Sequence, residues 1–264
     1  MLQICALAIG GLDPGGGAGI VADLRGFHAA GVFGCAVVAL QTVQSTDGLR
    51  SSGALDAKLV VKQAEEVIRG QRVGAIKIGA LGSVENVRAV ARWLGRRVTV
   101  PVVLDPVMLP TRGASRLLAS RALGVLRDEL LPRATLVTAN AAEAAVLTGH
   151  RVRTVAEARA AAAALAAMTA GAALVKGGHL AANEDAVDVL AVDGRMLELR
   201  SPRRTLPATH GGGCVLAALI AGFLARTSGE AKDVVSAVRS ARRIHQRALR
   251  DAVDVGGAMR VLIP

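Results

Sequence analysis

The feature that most limits how this chain can fold is a regular alternation of short apolar runs with amphipathic segments. Apolar runs fall at residues 4–10, 35–40, 73–78, 101–105, 134–138 and 172–176. They are nearly continuous in Ala, Val, Ile and Leu, so each reads as a strand buried on both faces. Helical patterns fill the gaps at about 18–30, 56–69, 84–95, 116–130, 141–148 and 155–169. Such alternation predicts an α/β fold of three layers, with a mostly parallel central sheet covered by helices on both faces. Residues 186–192 and 196–199, separated by Asp193-Gly194, read as a β-hairpin, because Asp-Gly favours the tight turn that hairpins need. Two more helices are expected at 213–226 and 231–250. No internal repeat or linker interrupts the pattern, and a single domain over 1–264 is the simplest organisation.

Composition narrows the function classes. A chain of 264 residues with 52% hydrophobic residues can bury a sizeable core. Only 2% of residues are aromatic, with no Tyr, one Trp and three Phe, so the core is aliphatic. Single-stranded nucleic acid would find almost no stacking platform here. The net charge of +11 comes mainly from Arg scattered over helical segments, such as Arg92, Arg96, Arg97, Arg239, Arg242, Arg243 and Arg247. It reads as a solvated basic surface with no nucleic-acid partner, although its field would attract a polyphosphate. Cys5, Cys35 and Cys214 are odd in number and form no CxxC, which suggests neither a disulfide framework nor a zinc site. A reducing, cytoplasmic setting is expected. The apolar start lacks a basic segment and runs into Asp13-Pro14, so it reads as a buried strand rather than a signal peptide. The apolar stretch 214–225 is too short to span a membrane.

Ligands of open α/β sheets bind beyond the carboxyl ends of the strands. The residues that follow each predicted strand are chemically distinctive: the glycine-rich stretch 11–19, Gln44, Gly79-Ala80, Asp105-Pro106-Val107, Asn140 with Glu143, and Lys176-Gly177-Gly178-His179. Later, Thr209-His210 leads into Gly211-Gly212-Gly213-Cys214 at the start of an apolar helix. Backbone amides without side chains can converge there on an anion, with the helix terminus adding favourable partial charge. A thiol at that terminus is expected to have a lowered pKa and to serve as a base. The plain alternative is a flexible turn followed by a small buried Cys. Asp105 at a strand end suits Mg²⁺ near phosphates, or merely ends the strand. Asn140 and Glu143 suit a helix cap with an acid in the first turn. Asp13-Pro14 interrupts any dinucleotide fingerprint, and no GxxxxGK[ST] occurs. Asp23 by itself reads as a surface acid, Lys77 as a sheet-edge residue and His28 as an ordinary helix residue.

Taken together, these segments resemble the hydroxymethylpyrimidine/phosphomethylpyrimidine kinases of the ribokinase-like superfamily. The pieces are Gly11-x-Asp13-Pro14-x-Gly16-Gly17-Ala18-Gly19-Ile20-x-Ala22-Asp23, Thr42-x-Gln44-x-Thr46, Lys77-Ile78-Gly79, Val102-Val103-Leu104-Asp105-Pro106-Val107-Met108, Leu130-Leu131-Pro132, Asn140-x-x-Glu143, Leu147-Thr148-Gly149, Val175-Lys176-Gly177-Gly178-His179 and Thr209-His210-Gly211-x-Gly213-Cys214. The resemblance implies a ribokinase-like kinase that uses ATP and Mg²⁺ to phosphorylate a pyrimidine alcohol, and a homodimer. It implies that Gly11, Ala18, Asp23, Gln44, Ala80 and Val107 line the pyrimidine pocket. Asp105 and Glu143 would lie near magnesium, and Asn140, Lys176, Thr209 and His210 toward the nucleotide. Gly211, Gly212 and Gly213 would form the anion hole, with Cys214 as the catalytic base. Departures from the family pattern include Leu12 for Ser, Ala80 for Met, Ala139 for Pro, Gly212 for Thr, Val215 for a small polar residue, and Pro110 with Arg112 after Asp105. They spare Asp105, Glu143, Lys176 and Cys214. They leave open a vitamin B6-type kinase, since Ala80 enlarges the pocket, and a pyrimidine-binding relative without turnover.

Overall fold

The computed structural model describes residues 3–108, 112, 117–178, 180, 185–203 and 207–264. Its centre is a nine-stranded sheet in the order β3-β2-β1-β4-β5-β6-β7-β8-β9. The parallel part comprises β2 (Phe33–Ser45), β1 (Cys5–Leu12), β4 (Val73–Ile78), β5 (Val102–Leu104), β6 (Leu136–Asn140) and β7 (Ala172–Lys176). Antiparallel strands flank it: β3 (Gly48–Ala54) on one side, β8 (Asp185–Val192) and β9 (Arg195–Pro202) on the other. A short parallel pair, β10 (Thr209–His210) with β11 (Arg260–Val261), stands apart.

Alternate residues of the buried strands feed two hydrophobic layers, as the two-residue period requires. On one face α2 (Ala57–Gly70), α3 (Val84–Arg97), α4 (Ala122–Val125), α5 (Ala141–Thr148) and α6 (Val155–Met168) cover Leu7, Ile9, Ile76, Ile78 and Leu104. On the other, α1 (Gly19–Ala29), α7 (Gly212–Leu224) and α8 (Ala231–Arg250) cover Ala6, Ala8, Ala75, Val103 and Leu174. The small alanines of this second face let α7, itself apolar on all sides, lie close against the strands. α7 is wedged between the sheet, α1 and α8. The expected three-layer arrangement is therefore present, and the hairpin is β8–β9. Its turn residues Asp193 and Gly194 both have positive φ, at 51° and 68°, as a two-residue hairpin of this twist demands.

Three local expectations need correction. The strand expected at 35–40 runs on to Ser45 and pairs with β3, a strand of sequence GLRSSGA that no apolar pattern announces. The helix expected at 116–130 is, among the described residues, α4 followed by a wide turn at Leu126–Leu130. Leu117 and Leu118 cannot join it, because their amides donate to the Met108 carbonyl and Leu118 bridges to Gly82. Finally, Lys77 is not at a sheet edge: β4 lies between β1 and β5, and the side chain is 1% exposed. His179 and Pro110 lie outside the described residues.

Candidate active site

The loops after the parallel strands and the N-terminus of α7 enclose a cleft of about 1020 Å³. Every site residue named from the sequence lines it: Gly11, Ala18, Asp23, Gln44, Ala80, Val107, Asp105, Asn140, Glu143, Lys176, Thr209, His210, Gly211, Gly212, Gly213 and Cys214.

The glycine-rich loop after β1 is organised by Asp13. Its carboxylate accepts from the Gly15 amide at 2.9 Å, the Ala18 amide at 2.8 Å and His210 Nε2 at 2.8 Å. These bonds hold the Asp13 carboxyl below its usual range although burial, the largest single influence, opposes them. The His210 ring packs on Gly17, where any β-carbon would collide with it. Gly211, with φ of 78°, caps α7 so close to the Gly17 carbonyl that a side chain there would also collide. The loop after β1 and the turn before α7 are thus locked together through glycines and one Asp–His pair. Asp13 was expected to spoil a dinucleotide fingerprint and to belong to the first family motif, with no site role of its own. Its signal was the string of free amides that follows it, which invites a carboxylate cap.

His210 also lies against Gln44. Its Nε2 is 3.0 Å from the Gln44 side-chain nitrogen and 2.8 Å from the Asp13 carboxylate, and with its proton given to Asp13 it has no lone pair left to accept from Gln44. The structure places His210 at the Gln44 end of the cleft, among the expected pyrimidine-lining residues rather than with Asn140 and Lys176. Gly11 and Ala80 face one another nearby, and Ala80 packs with Leu40, Leu49, Leu117 and Val107 in a small apolar cluster.

The cleft floor holds Lys77 against Asp23 at 2.9 Å, with both side chains sealed from solvent. Asp23 is thus no surface residue. Burial raises its pKa to about 6 despite the nearby ammonium, and Lys77 holds its proton more tightly than a free lysine because Asp23, Cys214 and Asp105 outweigh its burial. A Lys inside an apolar run is the one sequence hint of this pair, and it calls for a buried acid only once β4 is placed between β1 and β5.

A second cluster lies toward the open side. Asp105 Oδ1 accepts from Thr138 Oγ1 at 3.2 Å and Lys176 Nζ at 3.1 Å. Lys176 also lies 3.9 Å from Glu143. Asn140 and Glu143 form a reciprocal capping box at the start of α5, each bonding the other's backbone amide at 2.8–2.9 Å. Burial pushes the Glu143 carboxyl up to about 7, helped by Asp105 and opposed by Lys176. The anion turn reaches this cluster: a β-carbon on Gly213 would stand 3.2 Å from Lys176 Nζ and 3.6 Å from Asp105 Oδ2.

Cys214 sits between the two clusters. The lowered thiol pKa expected from the helix terminus is not what the surroundings produce. Burial pushes the thiol up to about 11; Lys77 and the Gly19 amide pull it down, while Asp23 and Asp105 push it further up. Desolvation and two carboxylates outweigh one helix end.

An open α/β sheet whose strand ends converge on a glycine turn, a lysine-held carboxylate cluster and a deep cleft defines a ribokinase-like small-molecule kinase, a phosphotransferase. The phosphomethylpyrimidine kinase family model matches residues 13–262, and the chain belongs to that family. It is 40% identical over 253 residues to the hydroxymethylpyrimidine/phosphomethylpyrimidine kinase of Streptomyces coelicolor, covering 96% of this chain and 91% of that one. It is 39% identical over 250 residues to the thiamine biosynthetic bifunctional enzyme of Arabidopsis thaliana, covering 94% of this chain but only 47% of that longer protein. Among solved structures, a pyridoxal kinase of Bacillus subtilis in complex with ADP superposes with a TM-score of 0.87 at 28% identity, covering 98% of this chain and 96% of that one. A phosphomethylpyrimidine kinase of Clostridium difficile superposes with 0.79 at 30% identity, covering 93% and 99%.

Proposed function

We propose that this chain transfers the γ-phosphoryl group of ATP to the hydroxymethyl oxygen of 4-amino-5-hydroxymethyl-2-methylpyrimidine, to the phosphate of its monophosphate, or to both in turn, in thiamine biosynthesis. The observation that carries this reading is the seating of Cys214 and the amides of Gly211, Gly212 and Gly213 in one cleft with Asp105 and Lys176. An acceptor held over Gly11, Ala18, Asp23, Gln44, Ala80 and Val107 would bring its hydroxyl to the sulfur. From the thiolate form of Cys214, the hydroxyl oxygen attacks the γ-phosphorus, its proton passes to the sulfur to give the thiol, the bond to the β-bridging oxygen breaks, and ADP leaves. The glycine amides and Lys176 meet the charge spread over the transferring group. Asn140 and Thr209 lie on the walls that would receive the rest of the nucleotide.

Among the described residues no group of three or more His, Cys, Asp or Glu side chains is arranged to hold a metal. Two oxygen donors at Asp105 and Glu143 nonetheless suit Mg²⁺, which takes few protein carboxylates and fills its shell from phosphate and water. These two residues would hold it, and it would neutralise phosphate charge. Among the described residues no helix is long and apolar enough to cross a membrane. The reading includes a homodimer and a cytoplasmic location, supported by the family resemblance and by cysteine usage.

Replacing Cys214 by Ala tests the base. In a coupled assay, kcat on hydroxymethylpyrimidine should fall about 10²–10⁴-fold, the scale of a general base, with KM for the pyrimidine nearly unchanged. Because the thiol lies near 11, its reactive thiolate fraction grows with pH, so wild-type kcat should climb between about pH 7 and 9. An unimpaired Cys214→Ala enzyme removes the base assignment.

One observation favours a second acceptor. Ala80 leaves the apolar wall beside Gly11 without a long side chain, which makes room for a bulkier ring such as pyridoxal. Pyridoxal turnover exceeding that of the pyrimidine, and lost in Ala80→Met, would replace the first reading.

A further inference from the structure

The start of α7, with Gly211 as its cap and Gly212 and Gly213 as its first two residues, has a weakness that its own sequence does not repair. Three successive glycines give the backbone amides access to an anion, but glycine also gives the peptide planes the most freedom to rotate. A donor useful to a transferring phosphoryl group must already be aimed when the group arrives. Gly211 is immobilised by its contact with Gly17. Gly212 has no such neighbour: a β-carbon there would meet only His245 Nε2 at 3.7 Å and Thr209 Oγ1 at 3.9 Å.

His245 supplies the missing restraint. It lies on α8, and its Nε2 donates to the Gly212 carbonyl at 2.9 Å. The carbonyl of Gly212 and the amide of Gly213 belong to one planar trans peptide, so they point in opposite directions. Drawing the carbonyl toward α8 therefore fixes the direction of the Gly213 N–H, in a residue whose built β-carbon would stand beside Lys176 and Asp105. The anchor is itself fixed. One helical turn earlier, Arg242 donates to Asp188 at 2.8 Å and to the Leu199 carbonyl at 2.7 Å, and Asp188 accepts from the Gly177 amide at 2.7 Å. Burial lowers the His245 pKa to about 4, so the ring is neutral at working pH and its single N–H is committed to Gly212.

We infer that His245 is a positioning residue for phosphoryl transfer: it holds the Gly212–Gly213 peptide so that the Gly213 amide faces the migrating phosphate. The inference rests on the kinase reading above and assigns to His245, which lines the same cleft, a role exercised through the Gly212–Gly213 peptide.

The test pairs His245→Leu, which fills the space without a donor, with His245→Gln, whose amide nitrogen can reach the same carbonyl. With ATP, Mg²⁺ and hydroxymethylpyrimidine, His245→Leu should lower kcat about 10–100-fold, less than outright loss of an anion-hole donor. KM for the pyrimidine should stay within about twofold, and His245→Gln should recover kcat to within about threefold of wild type. Adding Gly212→Ala to His245→Leu should restore part of the loss, because a β-carbon narrows the backbone freedom that His245 restrains. A His245→Leu enzyme with unchanged kcat, or a His245→Gln enzyme as impaired as the Leu variant, overturns the inference. Backbone ¹⁵N order parameters of Gly213 give a readout that needs no turnover. They should fall in His245→Leu and recover in His245→Gln. If the wild type phosphorylates neither hydroxymethylpyrimidine nor pyridoxal, the kinase reading fails. The order parameters then still decide whether His245 holds the peptide, and identical values in all three proteins would refute it.

Discussion

Two lysine–carboxylate clusters of similar composition sit within one cleft, and they differ chiefly in their access to water. Lys77 and Asp23 are 1% and 0% exposed, in a crevice between β4, α1 and α7. Lys176 is 17% exposed and shares two carboxylates, Asp105 and Glu143, at the mouth of β7. A sealed ion pair loses its hydration and recovers it only from its partner, so its members are committed to each other. A cluster open to the cleft can exchange a partner for a ligand. The sealed pair therefore sets much of the field under Cys214, where Lys77 is the strongest influence drawing the thiol pKa down and Asp23 the strongest charge pushing it up. The open cluster is the part able to meet phosphate and metal.

The contrast breaks first, and by the largest amount, at Lys77. Lys77→Met leaves the Asp23 carboxylate buried without its partner, and unfolding stability should drop by about 3–5 kcal/mol. Denaturant titration at pH 8 and pH 5 would measure this. The loss should shrink at the lower pH, because Asp23, already raised to about 6, then takes up a proton and no longer needs a counter-charge. Asp23→Asn in the Lys77→Met background should recover part of the loss. A Lys77→Met protein as stable as wild type at pH 8 would show that the floor of the cleft is wetter than its geometry implies.

Lys176→Met should do the opposite. Because Asp105, although only 2% exposed, keeps Thr138, and Lys176 and Glu143 retain access to water, stability should fall less than in Lys77→Met. Loss of a cation beside the transferring group should lower kcat about 10²–10³-fold, with KM for the pyrimidine nearly unchanged. A large fall in melting temperature with kcat preserved would reverse the roles assigned to the two clusters.

The sequence made the sheet legible where burial on both faces writes a continuous apolar run, as in β4 and β7, and where a turn demands special dihedrals, as at Asp193-Gly194. It hid β3, because Gly48–Ala54 is held by pairing with β2 and carries almost no apolar burial. The open cluster was readable because its members follow strand ends. The sealed pair was not: a lysine inside a strand pattern looks like an edge residue until strand order puts β4 between β1 and β5. Cys214 shows the same limit. Helix position argues for a lowered pKa, whereas Asp23 and Asp105, distant in sequence, push it up. Local grammar names the chemistry of a side chain, and only the packing tells which neighbours compete for it.

Glu143 sharpens the comparison with a smaller effect. Its folded-state pKa of about 7 lies above the 4.5 of a free carboxyl, so the folded protein binds this proton more tightly. That contribution is fully present below about pH 4.5 and is lost as pH rises through 7, because unfolding then gains more from releasing the proton. Glu143→Gln carries no such proton. In protein free of metal and nucleotide, the stability difference between variant and wild type should therefore shift by about 1–3 kcal/mol in favour of the variant between pH 4.5 and 7.5. The shift should be unchanged in a Lys176→Met background if the lysine has no influence on Glu143. It should be larger if Lys176 now restrains the proton affinity of Glu143, as the 3.9 Å separation implies. Parallel stability curves for Glu143→Gln and wild type would mean that water reaches this carboxylate freely, and the open cluster would then differ from the sealed one even more than its geometry shows.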